Sequence, residues 1–253
     1  MRLPVLSADE AATVHGLFEF GAMTLGAALY RHARRRSGLP AMTARGSFVL
    51  MAGLLIGAGL GNKLVFLIER PDLWWSWWRD GQPLKLGQSI VGGLLGGLIG
   101  IELAKWSTRQ PASTGDLMVM PLAVGLALGR VGCWLAGLHD DTYGVASHLP
   151  WAVDLGDGVP RHPTPLYEIV FVLALAAVLS WQRERLARVP GLAFKCFLAA
   201  YLLWRLLIDG IKPVLVPYAL GWSGIQWTCL VALLIYLPFV WRATLHLKLR
   251  STS

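Results

Sequence analysis

The chain has 253 residues, of which 55% are hydrophobic and only 15% charged, and its formal net charge is +8. Soluble domains carry about 25% charged residues, so this composition excludes an ordinary soluble globular protein. The positive charge reads as basic loops at a membrane face rather than a nucleic-acid footprint, and Cys133, Cys196 and Cys229 have the spacing of neither a zinc site nor a disulfide framework.

Seven apolar runs reach or approach the roughly 20 residues that cross a bilayer. In chain order they fall at 11–31, 46–68, 87–106, 115–138, 164–182, 191–211 and 220–241, within one transmembrane domain covering 1–253. The opening "MRLPVLSADE" lacks the apolar core of a signal peptide, so the first span is expected to be its own targeting signal. His15 and Glu19 interrupt that span four residues apart, on one helical face. Two such residues are too few for a metal, and a His–Glu hydrogen bond is the expected reading. The second span carries Lys63. The loop 69–86 contains "LWWSWW", expected to form a short helix lying on the bilayer surface. The third span opens with "SIVGGLLGGLIG": Gly92, Gly96 and Gly100 form one row and Gly93 and Gly97 a second, the spacing of closely packed membrane helices. Glu102 and Lys105 form a local pair near its end.

The fourth span carries Arg130, and the loop 139–163 collects His139, Asp140, Asp141, Tyr143, Gly144, Arg161 and His162. Tyr167 and Glu168 open the fifth span, and Lys195 snorkels at the start of the sixth. Arg205 and Asp209 share one face of the sixth as an expected internal ion pair, with Lys212 one turn outward. With the N-terminus outside, thirteen Lys and Arg fall in inside loops and six in outside ones, which supports N-outside and C-inside. The expected fold is an all-α, seven-transmembrane bundle. Arg130 and Arg205 stay protonated inside it, so each needs a carboxylate or a phosphate. A central cavity that takes an anionic lipid headgroup between arginines, with acyl chains along apolar walls, meets that need. A transporter or a scaffold is compatible with the same residues.

Four blocks in fixed order carry a resemblance: "GGLLGGLIGIELAKW" (Gly92–Trp106), "GRVGCWLAGLHDDTYG" (Gly129–Gly144), "RHPTPLYE" (Arg161–Glu168) and "YLLWRLLIDGIKP" (Tyr201–Pro213). Together they resemble the prolipoprotein diacylglyceryl transferase family. The resemblance implies a multi-pass protein of the bacterial inner membrane, N-terminus periplasmic and C-terminus cytoplasmic, with 69–86 and 139–163 as periplasmic-side loops. It implies phosphatidylglycerol as donor, a lipobox cysteine thiol as acceptor, glycerol phosphate as leaving group, and no metal or cofactor. The candidate catalytic residues are Arg130, Arg205, Tyr201, His139, Asp140 and Asp141. The candidate substrate-binding residues are Gly92, Gly93, Gly96, His15, Glu19, Lys63, Arg161, His162, Tyr167, Glu168, Asp209, Tyr143 and Gly144.

The departures bear on chemistry. Val91 stands where the family has its catalytic histidine, and Cys133 where it has an asparagine. Three accounts follow. Another residue supplies the base, among His139, Asp140, Asp141, His15 and His162. Or phosphatidylglycerol serves a different acceptor, such as a glycan or lipid hydroxyl, with the phosphoglycerol part as a possible transferred group. Or the protein binds anionic lipid without turnover.

Overall fold

The computed structural model describes residues 5–39, 42–83, 87–109 and 113–249. Arg2, Lys85 and Arg250, three of the cations counted for orientation, lie outside these ranges. Among the described residues there are seven helices of 17 or more residues. They are α1 (Ala8–Arg36), α2 (Ala44–Glu69), α4 (Ile90–Thr108), α5 (Val119–Ala136), α6 (Thr164–Trp181), α8 (Leu192–Ile208) and α9 (Gly224–Leu249). The short α3 (Pro71–Asp80) holds the tryptophan run as a helix, and α7 (Arg183–Leu186) is a single turn. Five helical runs are long and apolar enough to cross a membrane: α2, α4, Gly115–Asp140 around α5, α6, and Gly224–Leu247 in α9. The chain is therefore a multi-pass membrane protein. The other two long helices are less clear-cut: α1 carries His15, Glu19 and charged ends, and α8 is 17 residues long.

Local chemistry sets the helix ends. Ser7 and Glu10 close a capping box at α1: Glu10 N–H donates to Ser7 Oγ (3.3 Å) and Ser7 N–H to Glu10 Oε2 (2.8 Å). Arg34, Arg35 and Arg36 sit in its last turn, where the helix dipole favours cations. Asp116 accepts from the backbone N–H of Gly191 (2.6 Å) and Phe194 (3.1 Å) at the start of α8. Glu69 accepts from Ile225 N–H (2.7 Å) at the start of α9.

The closest packing is between α2 and α4. Gly53, Gly57 and Gly61 face Gly100, Gly96 and Gly92, and a Cβ at any of the six would collide with the opposite backbone. Gly93, in the second row, also faces α2, more loosely, near Ala58 and Asn62. These glycines are spent on helix packing. Val91 is fully buried in an apolar cluster with Leu198, Leu202, Cys229 and Leu233, which joins α4 to α8 and α9.

Between α5 and α6 the chain forms a small cap. Strands β1 (Val153–Asp154) and β2 (Pro160–Arg161) pair antiparallel, with Val153 opposite Arg161. Val145 N–H donates to Ile211 C=O (2.8 Å), tying this cap to the end of α8. The candidate site lies beneath it.

Candidate active site

Glu168, near the start of α6, is the centre of a buried charge cluster. Its Oε1 accepts from Tyr201 Oη (2.6 Å), and its Oε2 lies 3.0 Å from Arg130 Nε and 3.9 Å from Arg205 Nη1. Arg205 Nη2 donates to both oxygens of Asp209 at 3.0 Å, and Lys212 Nζ is 3.1 Å from Asp209 Oδ1. The expected Arg205–Asp209 pair is present. Arg130 and Arg205 are each 4% exposed and Glu168 1%. Lys212 sits where burial and the nearby Arg205 lower its pKa, partly offset by Asp209.

This cluster leaves hydrogen-bond donors unused. Three cations, Arg130, Arg205 and Lys212, are in ion-pair contact with two carboxylates, Glu168 and Asp209, and Glu69 adds a third carboxylate near Arg205 and Lys212. The Nε groups of Arg130 and Arg205 are buried without a hydrogen-bond acceptor: the Arg130–Glu168 contact is an ion pair whose N–H is not aligned on the oxygen. Buried donors of this kind normally find a partner.

A second group adjoins the first. Arg130 Nη1 donates to Cys133 Sγ (3.5 Å), one turn along α5. His15 Nδ1 is 2.5 Å from Asp140 Oδ1, and Thr142 Oγ1 donates to Asp140 Oδ2 (2.5 Å). Cys133 Sγ lies within 4.8 Å of the His15 nitrogen and an Asp140 oxygen. Gly132 makes this possible: a Cβ there would strike Phe18, so its absence lets α1 approach α5 at the level of His15. The expected His15–Glu19 bond is not formed. Asp140 takes His15, and Glu19 accepts instead from Gln88 Nε2 (3.5 Å).

The other candidates are placed as follows. His139 is exposed and contacts Leu6 C=O through Nε2 (3.1 Å), and Asp141 is exposed at a left-handed position (φ 53°). Neither joins the cluster. Lys63 Nζ donates to Gly87 C=O (2.9 Å), bracing the segment before α4. Tyr167 Oη accepts from Trp151 Nε1 (2.7 Å) and lies 3.3 Å from His162 Nδ1. Arg161 pairs with Asp157 (2.6 Å) and stacks its guanidinium 5.1 Å from the Tyr143 ring. Gly144 is buried against His162, with no room for a side chain. A small cavity under the cap is lined by Cys133, Thr142, Tyr143, Arg161 and His162, among others. Lys212 and Cys133 are the contributors the sequence reading left off its candidate set. Lys212 was visible as an extension of the Arg205–Asp209 face, and Cys133 as a departure one turn from Arg130.

Fold and site together define a polytopic helical membrane protein that holds buried, carboxylate-paired arginines near the ends of its helices. Residues 8–242 match the family described as LGT, prolipoprotein diacylglyceryl transferase. The chain is 34% identical over 193 residues to the phosphatidylglycerol–prolipoprotein diacylglyceryl transferase of Geobacter sulfurreducens, covering 72% of this chain and 70% of that one. It is 30% identical to the Idiomarina loihiensis protein of the same name (76% and 72% covered). It is also 30% identical to phosphatidylglycerol–prolipoprotein diacylglyceryl transferase 1 of Streptomyces coelicolor, of which it spans about half (55%). The chain belongs to the prolipoprotein diacylglyceryl transferase family.

Proposed function

We propose that this protein transfers the diacylglyceryl group of phosphatidylglycerol to the cysteine thiol of a prolipoprotein. The observation that carries the reading is the buried Arg130–Arg205–Lys212 group, in which the Nε–H groups of both arginines have no aligned hydrogen-bond acceptor. In the reaction the thiol sulfur bonds to the glyceryl carbon. The C–O bond to phosphate breaks, and glycerol phosphate leaves with the electron pair. Negative charge on the departing phosphate meets fixed arginines that need not reorganise, which is where such sites gain most of their rate. Tyr201 and Glu168 hold the two arginines in place, and Asp209 orients Arg205. Val91 can accept no proton, so thiol activation falls to other groups. Of the sequence candidates, His15 and Asp140 are the ones beside the Arg130 helix end.

The names of the relatives favour a protein acceptor over a glycan or lipid hydroxyl. Seven spans, a periplasmic N-terminus, a cytoplasmic C-terminus and an inner-membrane location belong to the same proposal. The alternation of helix ends supports them: His15, Val91 and Glu168 lie near the starts of α1, α4 and α6, and Lys63, Arg130 and Arg205 near the ends of α2, α5 and α8. Consecutive long helices thus run in opposite directions past one site. The test is expression in cells depleted of their own transferase, together with incubation of the purified protein with labelled phosphatidylglycerol and a lipobox peptide. Lipoprotein modification should be restored and glycerol phosphate released. Failure to restore it, or release of diacylglycerol instead, would defeat the reading.

A further inference from the structure

We propose that His15, Cys133 and Asp140 form a three-ligand site for a zinc-type divalent cation, whose fourth position takes the acceptor thiolate. This rests on the transferase reading above for its role, though not for its existence. The three side chains come from α1, from α5 and from the turn after α5. They offer one nitrogen, one sulfur and one oxygen, all within 4.8 Å of one another. Catalytic zinc sites use such mixed donors and three protein ligands, leaving one position open. Tetrahedral bonds of ~2.0–2.3 Å put donor atoms roughly 3.3–3.8 Å apart. The cation therefore needs His15 and Asp140 to part from their 2.5 Å contact and the sulfur to close in slightly.

Three features favour a cation over a plain hydrogen-bonded cluster. First, the cysteine and the carboxylate each have an outer partner of the kind that orients metal ligands: Thr142 Oγ1 on Asp140 and Arg130 Nη1 on Cys133. Second, the charge closes: a divalent ion with one thiolate, one carboxylate and a neutral imidazole is neutral overall, so it adds no repulsion to Arg130. Third, the half-exposed His15 side chain (33%) leaves the site open to an incoming group, and a cavity adjoins Cys133. The site also supplies what Val91 lacks. A thiol bound to such an ion loses its proton outright, so no histidine base is required. The acceptor R–SH gives its proton to water and binds as R–S⁻. The sulfur lone pair then forms the bond to the glyceryl carbon as the phosphate leaves beside Arg130. The neutral thioether, a weak ligand, departs and frees the position.

The experiment is a cobalt titration of the detergent-purified, chelator-stripped protein. In the Cys196→Ser/Cys229→Ala variant Cys133 is the sole thiol. There we expect a near-ultraviolet thiolate-to-cobalt absorption that saturates at about one ion per chain and is displaced by zinc. His15→Ala and Asp140→Asn should each weaken cobalt binding at least ~10-fold. A folded single-thiol protein that shows no such absorption overturns the site, as does absorption unaffected by both substitutions. The two proposals fail separately: transfer to a lipobox peptide by metal-free protein sinks the metal site alone, and metal binding without any transfer sinks the transferase reading alone.

Discussion

Glu168 is the residue on which the site turns, because one carboxylate serves two arginines and a tyrosine. Removing one partner of a buried pair leaves the other charge uncompensated, at about 3–5 kcal/mol. Glu168→Gln should therefore lower thermal stability in detergent as well as transfer, whereas loss of activity with an unchanged melting curve would speak against the hub. Tyr201→Phe removes one hydrogen bond to a charged group and should cost about 1.5–3 kcal/mol. Arg130→Lys replaces a fork with a point charge and should reduce kcat/KM about 10²-fold or more, with near-normal folding; wild-type kinetics would show Arg130 to be structural only. Glu168 and Arg130 were legible in the sequence because ionised groups stand out in apolar runs, whereas Tyr201 came only with the family resemblance. His15 was legible as a candidate, but its partner was not. Helical spacing points it at Glu19, while the approach of α1 to α5 at Gly132 delivers it to Asp140. No local pattern encodes a contact between residues so far apart in the chain.

At the scale of helices, the two glycine rows explain how α2 and α4 come together. Gly57→Ala or Gly96→Ala places a methyl group on the opposing carbonyl, and overpacking of this kind costs about 1–3 kcal/mol. Gly59→Ala, one of the glycines of α2 with nothing within 4 Å, should be neutral or slightly stabilising. Melting temperatures of the three variants decide the matter: equal values would mean that the α2–α4 contact is looser than described. The α4 row was readable from spacing alone. Its consequence for function was not, since a small residue can make room equally for a lipid or for a helix. Only the matching row on α2 shows that a helix fills the space. Val91 is placed in the same way: the apolar groups of α8 and α9 around it form a buried pocket suited to valine.

For the molecule as a whole, the Lys and Arg distribution predicts the sidedness, and the helix ends set which segments share a face. A cysteine placed at Asp157, in the cap, should react with a membrane-impermeant maleimide in spheroplasts. One placed at Arg185, beside α7, should react only after the membrane is opened. The reverse pattern would invert the proposed topology. That several long apolar segments cross a membrane was readable from the sequence, and five helical runs are long and apolar enough to do so, but the cap between α5 and α6 was not, because its strands are two residues each and held by long-range bonds such as Val145 to Ile211. The distribution of packing has a mechanical consequence. The α2–α4, α1–α5, α5–α6 and α8–α9 seams are extensive, whereas α8 touches α5 and α6 sparingly. The ion pair of Glu168 with Arg205 and the hydrogen bond from Tyr201 to Glu168 bridge that thin seam. They act as a latch between α8 and the α5–α6 pair. A phosphate that draws Arg205 away from Glu168 would weaken the latch, so an arriving headgroup would loosen the hold of α8 on its neighbours.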